Sequence, residues 1–167
     1  MSGEPEPYIQ NTINGTINIL RTAIAEHKIK RVVLTASSMG AVPWKTDVEY
    51  SFGTDSYNED SIKRAYQLPF TGDKAFVVYG AAKALTEKAV FTWLAQEKPR
   101  FTYNAVLPAA NFGVSASGPF SSTGGWAKSA AEGDFSIIQH VSPRKYLVIF
   151  SFPRSEAVAR RLSLIHI

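Results

Sequence analysis

The sequence contains no cysteine among its 167 residues, which excludes disulfide bonds and thiolate ligands for metals. An absence of cysteine fits a reducing compartment, and we expect a cytoplasmic protein. The sequence also lacks an apolar run long enough to span a bilayer. Residues 1–7 do not show a basic segment followed by an apolar one, which is the pattern of a secretory signal. We therefore expect no membrane partner and no metal site.

The sequence also has little excess of charge of one sign, since 18 basic and 14 acidic residues give a formal net charge of +4. The basic residues are scattered except in the short run 28–31, which follows a predicted helix, where cations suit the helix dipole. We therefore expect no nucleic-acid partner. Hydrophobic residues make up 45% and charged residues 19% of the chain, which is typical of a globular protein. The length suffices for one domain with a sizeable core.

The spacing of apolar residues predicts helices that alternate with short strands. In residues 8–27, isoleucine and leucine recur at helical spacing, which predicts a helix with one buried face. Gly15 inside this helix predicts close packing against a neighbour. Residues 31–36 form a short apolar run, typical of a parallel strand covered on both faces. A second strand is predicted at 101–107, and further helices at 59–65, 79–97 and 126–133. This order predicts an α/β fold with a parallel sheet.

Tyr79 and Lys83 begin the strongest helix-forming segment of the chain. Tyr79 is the only one of the seven tyrosines that has a lysine at the fourth position after it. Residues four apart lie on one face of a helix, so the phenol and the ammonium can contact the same bound molecule. A nearby cation favours the phenolate, which makes such a tyrosine a candidate general acid or base. The alternative is a half-buried tyrosine beside a solvated lysine.

Two serines, Ser37 and Ser38, follow the first predicted strand directly. Ligands of open α/β sheets bind beyond the carboxyl ends of the strands, which is where these hydroxyl groups fall. Because the two serines are adjacent, the residues alone leave open which of them faces a ligand. A strand-end cap is the alternative function.

Several segments together resemble the extended short-chain dehydrogenases, most of all the carbonyl reductases related to dihydroflavonol reductase and to fungal-type aldehyde and ketone reductases. They occur in the family's order and cover about residues 8–148. This resemblance implies a partial Rossmann-type fold, with a doubly wound parallel sheet, helices on both faces and the start of a small substrate-binding region. The matching segments are residues 12–16 (TINGT), 32–38 (VVLTASS), 57–61 (YNEDS), 79–83 (YGAAK), 106–113 (VLPAANFG) and 122–126 (STGGW).

The resemblance implies a catalytic trio of Ser38, Tyr79 and Lys83. Tyr79 would give its proton to a carbonyl oxygen, while a nicotinamide delivers hydride to the carbon. Lys83 would assist Tyr79 and bind the ribose hydroxyls, and Ser38 would hydrogen-bond the carbonyl oxygen. Alignment of residues 40–42 favours Ser38 over Ser37 for this position.

The same resemblance implies a cofactor, NADP or NAD, and a small carbonyl compound as the substrate. Residues from Pro108 to Asn111 would border the nicotinamide. Either Ser122 or Thr123 would contact the phosphates or the ribose. The oligomeric state and the choice between the two cofactors stay open.

The glycine-rich phosphate loop that opens the family's domain is missing, since no GxGxxG or GxxGxxG follows a strand. We therefore expect a fragment that starts within the dinucleotide-binding domain and occupies residues 1–115. The start of the substrate-binding region is expected at 116–148. Residues 149–167 are expected to be a non-native tail, because an expected aspartate is missing after residue 148 and residues 162–167 resemble a translated sequencing adapter.

The leading hypothesis is therefore an NAD(P)H-dependent carbonyl reductase. A sugar-nucleotide epimerase or dehydratase of the same superfamily is the alternative enzyme, because it would use the same trio. A non-catalytic binding protein with the same fold is a further alternative. Replacement of Tyr79 or Lys83 would favour it, but both residues are present. A truncated chain without activity is the third alternative, because a phosphate cradle is missing.

Overall fold

The computed structural model describes residues 4–43, 53–69, 74–111, 118–119 and 122–136, together with the backbone of 146–151 and 163–166. The predicted helices and strands within these ranges are confirmed, although the last predicted helix starts four residues earlier than expected, at Ser122. Most of the expected non-native tail lies outside the described residues. The elements are α1 (Pro5–Ala25), β1 (Arg31–Thr35), a 3₁₀ turn (Ser38–Gly40), α2 (Glu59–Ala65), α3 (Ala75–Glu97), β2 (Thr102–Leu107), α4 (Ser122–Ala131), β3 (Tyr146–Ser151) and β4 (Ser163–His166).

The four strands form one sheet in the order β1-β2-β3-β4. Strands β1 and β2 are parallel, with Arg31 opposite Thr102 and Thr35 opposite Val106. The long helix α3 connects them, as the parallel arrangement requires. The predicted α/β fold is therefore confirmed. Strands β3 and β4 add to the sheet in antiparallel fashion, which the sequence pattern did not predict.

Helices α1 and α3 pack side by side against one face of β1 and β2. The core between them is formed by α1, α3 and β2, with Val32 and Leu34 of β1 packed against it; its buried members include Leu20, Ala23, Val90, Trp93, Tyr103, Ala105 and Leu107. On the opposite face of β1, the side chain of Val33 is 58% exposed. The expectation that this strand is covered on both faces is therefore wrong for the described part of the chain, because α1 and α3 lie on the same side.

A second apolar cluster joins the first turns of α1 to α2 and α3. Its buried members are Ile9, Ala65, Val78, Ala81 and Ala82. The alanines of α3 allow the three helices to approach closely, because they add little volume to the contact. This cluster fixes the start of α3, where Tyr79 lies.

Gly15 does not take part in this packing. It is exposed, and no heavy atom lies within 4 Å of the position that a β-carbon would occupy. The predicted close contact at Gly15 is therefore wrong: α1 packs through other positions and leaves this glycine on its outer surface. In the part of the chain that the structure describes, no helix is both long and apolar enough to cross a membrane.

Candidate active site

The segments that follow β1 and β2 stay side by side beyond the ends of the two strands. The amide of Ala36 donates to the carbonyl of Val106 (2.8 Å), and the amide of Ser38 donates to the carbonyl of Pro108 (3.0 Å). The expected serine position and the start of the expected nicotinamide segment are thus brought together at the carboxyl edge of the parallel strands. In α/β sheets this edge is the usual position of a ligand site.

We call residues 37–40 the serine turn. The hydroxyl of Ser37 accepts a hydrogen bond from the amide of Met39 (3.3 Å), and Ser37 is only 6% exposed. Ser38 is half-buried, and its carbonyl accepts the amides of Ala41 and Val42. The two adjacent serines therefore differ in environment, because the buried Ser37 hydroxyl caps the turn.

The serine turn packs directly on α3. A β-carbon at Gly40 would lie 3.2 Å from the Cβ of Lys83. A β-carbon at Gly80 would lie 3.1 Å from the carbonyl oxygen of Met39. These two glycines allow the backbone of the turn to lie against the same stretch of α3 that carries Tyr79 and Lys83.

Tyr79 and Lys83 lie on one face of α3, as their spacing predicts. The Nζ atom of Lys83 is 5.5 Å from the centroid of the Tyr79 ring, within the range of a cation–π interaction. Both side chains are half-buried, so the pair is neither sealed in the core nor fully solvated. The structure therefore brings the predicted phenol and ammonium together.

Tyr8 of α1 is a neighbour of this pair that the sequence did not indicate. Partial burial raises the pKa of the Tyr8 phenol, and the electrostatic interaction with Tyr79 raises it further. The two phenols therefore lie within electrostatic reach of each other. Only the packing of α1 on α3 creates this proximity, because the residues are far apart in sequence and share no motif.

Asn111 and Thr123, both expected near the cofactor, are also close to each other. The Thr123 hydroxyl donates a hydrogen bond to the carbonyl of Asn111. The side chain of Asn111 is exposed, and its amide donates to the carbonyl of Ala109 (3.0 Å). The asparagine amide thus stabilises a local turn, and the threonine connects the first turn of α4 to the segment that follows β2.

A second contact holds α4 beside the start of α3. The rings of Phe76 and Trp126 meet edge to face, with centroids 6.0 Å apart and an angle of 77° between their planes. Phe76 precedes Tyr79 by nearly one helical turn and lies on the same side of α3. The aromatic pair therefore borders the expected catalytic residues.

No family model matches the chain, but several curated proteins are similar to it. It is 36% identical to an aldehyde reductase 2 of Sporidiobolus salmonicolor, over 88% of this chain and 44% of that protein. It is 32% identical to an NAD-dependent epimerase/dehydratase of Aspergillus terreus, over 66% of this chain and 33% of that protein. A ketoreductase of Penicillium roqueforti is 33% identical over 61% of this chain and 29% of its own length. The chain thus spans less than half the length of these relatives.

The solved structures include a similar fold. One is described as a reductase engineered to attenuate substrate inhibition in asymmetric catalysis, and it superposes with a TM-score of 0.61. The match covers 72% of this chain and 37% of the other, at 24% sequence identity. This structural similarity supports the α/β architecture. The curated relatives are similar to the chain in sequence.

Proposed function

We propose that this chain, a member of the short-chain dehydrogenase/reductase superfamily of the epimerase/dehydratase type, has a specific activity within that superfamily. It carries the catalytic residues of an NAD(P)H-dependent carbonyl reductase. Its substrates would be aldehydes or ketones. The names of the similar proteins, aldehyde reductase and ketoreductase, support this reaction class. One observation carries the proposal: the Lys83 ammonium lies over the Tyr79 ring, on the segment of α3 that contacts the serine turn.

In the proposed mechanism Tyr79 is the general acid. Its hydroxyl gives a proton to the carbonyl oxygen of the substrate as that oxygen gains negative charge. Lys83 stabilises the phenolate that remains, because its ammonium is close to the same ring. Ser38 donates a hydrogen bond to the substrate oxygen and orients it toward Tyr79. We assign this part to Ser38 rather than Ser37, because the Ser37 hydroxyl is buried and caps the turn.

The donor set fits the nicotinamide end of NADP or NAD. When bound, the reduced nicotinamide supplies the hydride. Lys83 is half-buried at the edge of the site, where its ammonium can bind the ribose hydroxyls. Pro108 lies directly beyond β2 and beside Ser38, which suits a residue that borders the ring. Asn111 follows Pro108 by three residues and its carbonyl accepts the Thr123 hydroxyl, and we propose that these two residues border the remainder of the cofactor.

Steady-state kinetics test the proposal, with the longest open reading frame that contains this sequence. The assay follows oxidation of NADPH and NADH in the presence of aldehydes and ketones. We expect Tyr79→Phe to lower the rate of carbonyl reduction by about two to four orders of magnitude, the range for loss of a general acid. Tyr57→Phe is the matched control, because it keeps the ring over which Lys88 lies. A Tyr79→Phe variant with the wild-type rate would remove Tyr79 from the mechanism.

A sugar-nucleotide epimerase or dehydratase is the second candidate. The similarity to the epimerase/dehydratase of Aspergillus terreus favours it. Both reactions would use the same tyrosine and lysine, so the substrate distinguishes them. The second candidate would replace the first if the protein converted a sugar nucleotide without net oxidation of NADPH or NADH and reduced no aldehyde or ketone.

A further inference from the structure

Asn58 lies between α2 and the serine turn, and it is almost completely buried, with 1% of its surface exposed. Its Nδ2 atom donates to two backbone carbonyls, those of Met39 (2.7 Å) and Val42 (3.0 Å). Because both partners are carbonyl oxygens, only the amino group of the side chain can face them. The amide is therefore oriented by its partners and joins Met39 of the serine turn to Val42, two residues beyond it.

The other polar atoms of Asn58 are also hydrogen-bonded. Its Oδ1 atom accepts the amide of Ser61 (2.9 Å), which caps α2. Its backbone amide donates to the carbonyl of Gly40 (2.8 Å). Capping requires Oδ1 alone. The two bonds from Nδ2 therefore serve the serine turn and contribute nothing to the cap.

The turn also rests on α3. A β-carbon at Gly80 would lie 3.1 Å from the Met39 carbonyl oxygen and 3.2 Å from the Nδ2 atom of Asn58. The Asn58 amide thus contacts the serine turn beside Gly80 of α3, the residue that directly follows Tyr79. The position of Ser38 relative to Tyr79 is consequently fixed by α3 and by Asn58 together, which meet at the Met39 carbonyl.

We propose that Asn58 is a positioning residue for carbonyl reduction, an inference that rests on the proposed function. It touches neither the substrate nor the cofactor. Its amide holds the carbonyls of Met39 and Val42, so that the hydroxyl of Ser38 stays in register with Tyr79. Without these donors two backbone acceptors lose their partners, and the turn shifts to regain them. A displacement of about 1 Å in a catalytic group can cost on the order of 100-fold in rate.

Two substitutions separate positioning from capping. Asn58→Asp and Asn58→Ser both keep an oxygen that can accept the Ser61 amide, and both lose the two amide donors. We expect kcat to fall about 10- to 100-fold with KM changed less than about twofold. The loss should be greater for Asn58→Asp, because its carboxylate would face two carbonyl oxygens. Amide hydrogen exchange at Gly40, Ala41 and Val42 should become faster in both variants.

Val90→Ala is the control for general loss of stability. Val90 is fully buried in the cluster between α1, α3 and the sheet, and follows Lys83 by about two helical turns. We expect it to be destabilised while keeping the wild-type kcat. Wild-type kcat in both Asn58 variants, or a loss no larger than that of Val90→Ala, overturns the positioning role. If the wild type reduces no carbonyl compound, the proposed function fails and the positioning role fails with it. Hydrogen exchange tests the contact separately. Unchanged exchange at the three amides in both variants would show that Asn58 does not hold the turn.

Discussion

The Nζ atom of Lys83 lies 5.5 Å from the centroid of the Tyr79 ring, one helical turn further along α3. Neither side chain is fully buried, so a bound molecule can reach both. The serine turn approaches the same stretch of helix through Gly40 and Gly80. A phenol, an ammonium and a serine-bearing turn therefore share one side of α3, at the carboxyl edge of two parallel strands.

Replacing Lys83 with methionine should lower carbonyl reduction by about 100-fold or more, since the proposed site loses the ammonium that lies beside the Tyr79 ring. The methionine keeps an unbranched apolar side chain of similar length, so α3 should stay intact. Lys88→Met is the matched control on the same helix, because Lys88 pairs with Glu59 and lies over the Tyr57 ring. Steady-state kinetics of both variants check the prediction. Equal rates for the two variants would contradict a catalytic role for Lys83.

Gly80→Ala should destabilise the protein by about 1–3 kcal/mol, because the new methyl group would overpack the contact with the serine turn. Its carbon would lie 3.0 Å from the Ser61 hydroxyl oxygen and 3.1 Å from the Met39 carbonyl oxygen. Gly15→Ala should instead stabilise by about 0.5–1 kcal/mol, because Gly15 lies inside a helix with open space around it. Urea denaturation measures both changes. The same sign of change in the two variants would refute this packing.

The hydrogen bond from Tyr66 to Glu6 (2.7 Å) should make stability depend on pH. Partial burial, followed by the hydrogen bond to Glu6 and its charge, raises the pKa of Tyr66 to about 12. The hydrogen bond from Tyr66, followed by that from Gln10, lowers the pKa of Glu6. The tyrosine's contribution is therefore complete below its unfolded pKa of about 10 and declines as the pH rises toward 12. The carboxylate's contribution is present above its unfolded pKa and declines as the pH falls.

Tyr66→Phe should consequently lower the Tm by no more than a few degrees, since Tyr66 is 45% exposed and water competes for the bond. The difference from the wild type should be greatest between about pH 5 and about pH 9, and should shrink at both extremes. Thermal unfolding from about pH 3 to about pH 12 measures it, since this range includes both ionisations. A difference that stays constant with pH would show that the bond contributes nothing.

Phe76 and Trp126 should be energetically coupled, since their rings meet edge to face. A double-mutant cycle with Phe76→Leu and Trp126→Leu should give a coupling free energy of about 0.5 kcal/mol, at the lower end for aromatic pairs. The low value reflects the 42% exposure of Phe76. A cycle of Phe76→Leu with Phe135→Leu is the control and should be additive, because Phe135 lies beyond the end of α4. Additivity in the first cycle would mean that the ring contact does not hold α4.

The sequence predicted the local elements of this protein well. Helical periodicity from Ile9 to Ile24 and the apolar runs of β1 and β2 reflect burial of one side of an element, and that signal lies in neighbouring residues. The pairing of Tyr79 with Lys83 could be predicted for the same reason, because residues four apart share a helix face. The prediction of close packing at Gly15 is wrong, because a glycine within a helical segment gives the same sequence signal whether its side of the helix is packed or open to solvent.

Tertiary structure alone decided which distant groups meet. Tyr8 approaches Tyr79, and Asn58 reaches the carbonyls of Met39 and Val42, only because α1 and α2 pack on α3. The order of strands beyond β2 was likewise set by pairing between remote segments. The sequence by itself therefore determined the elements, including helix α3 with Tyr79 and Lys83 on one face, since short-range periodicity encodes them. The surroundings of that helix depend on long-range packing, which leaves no periodic trace in the chain.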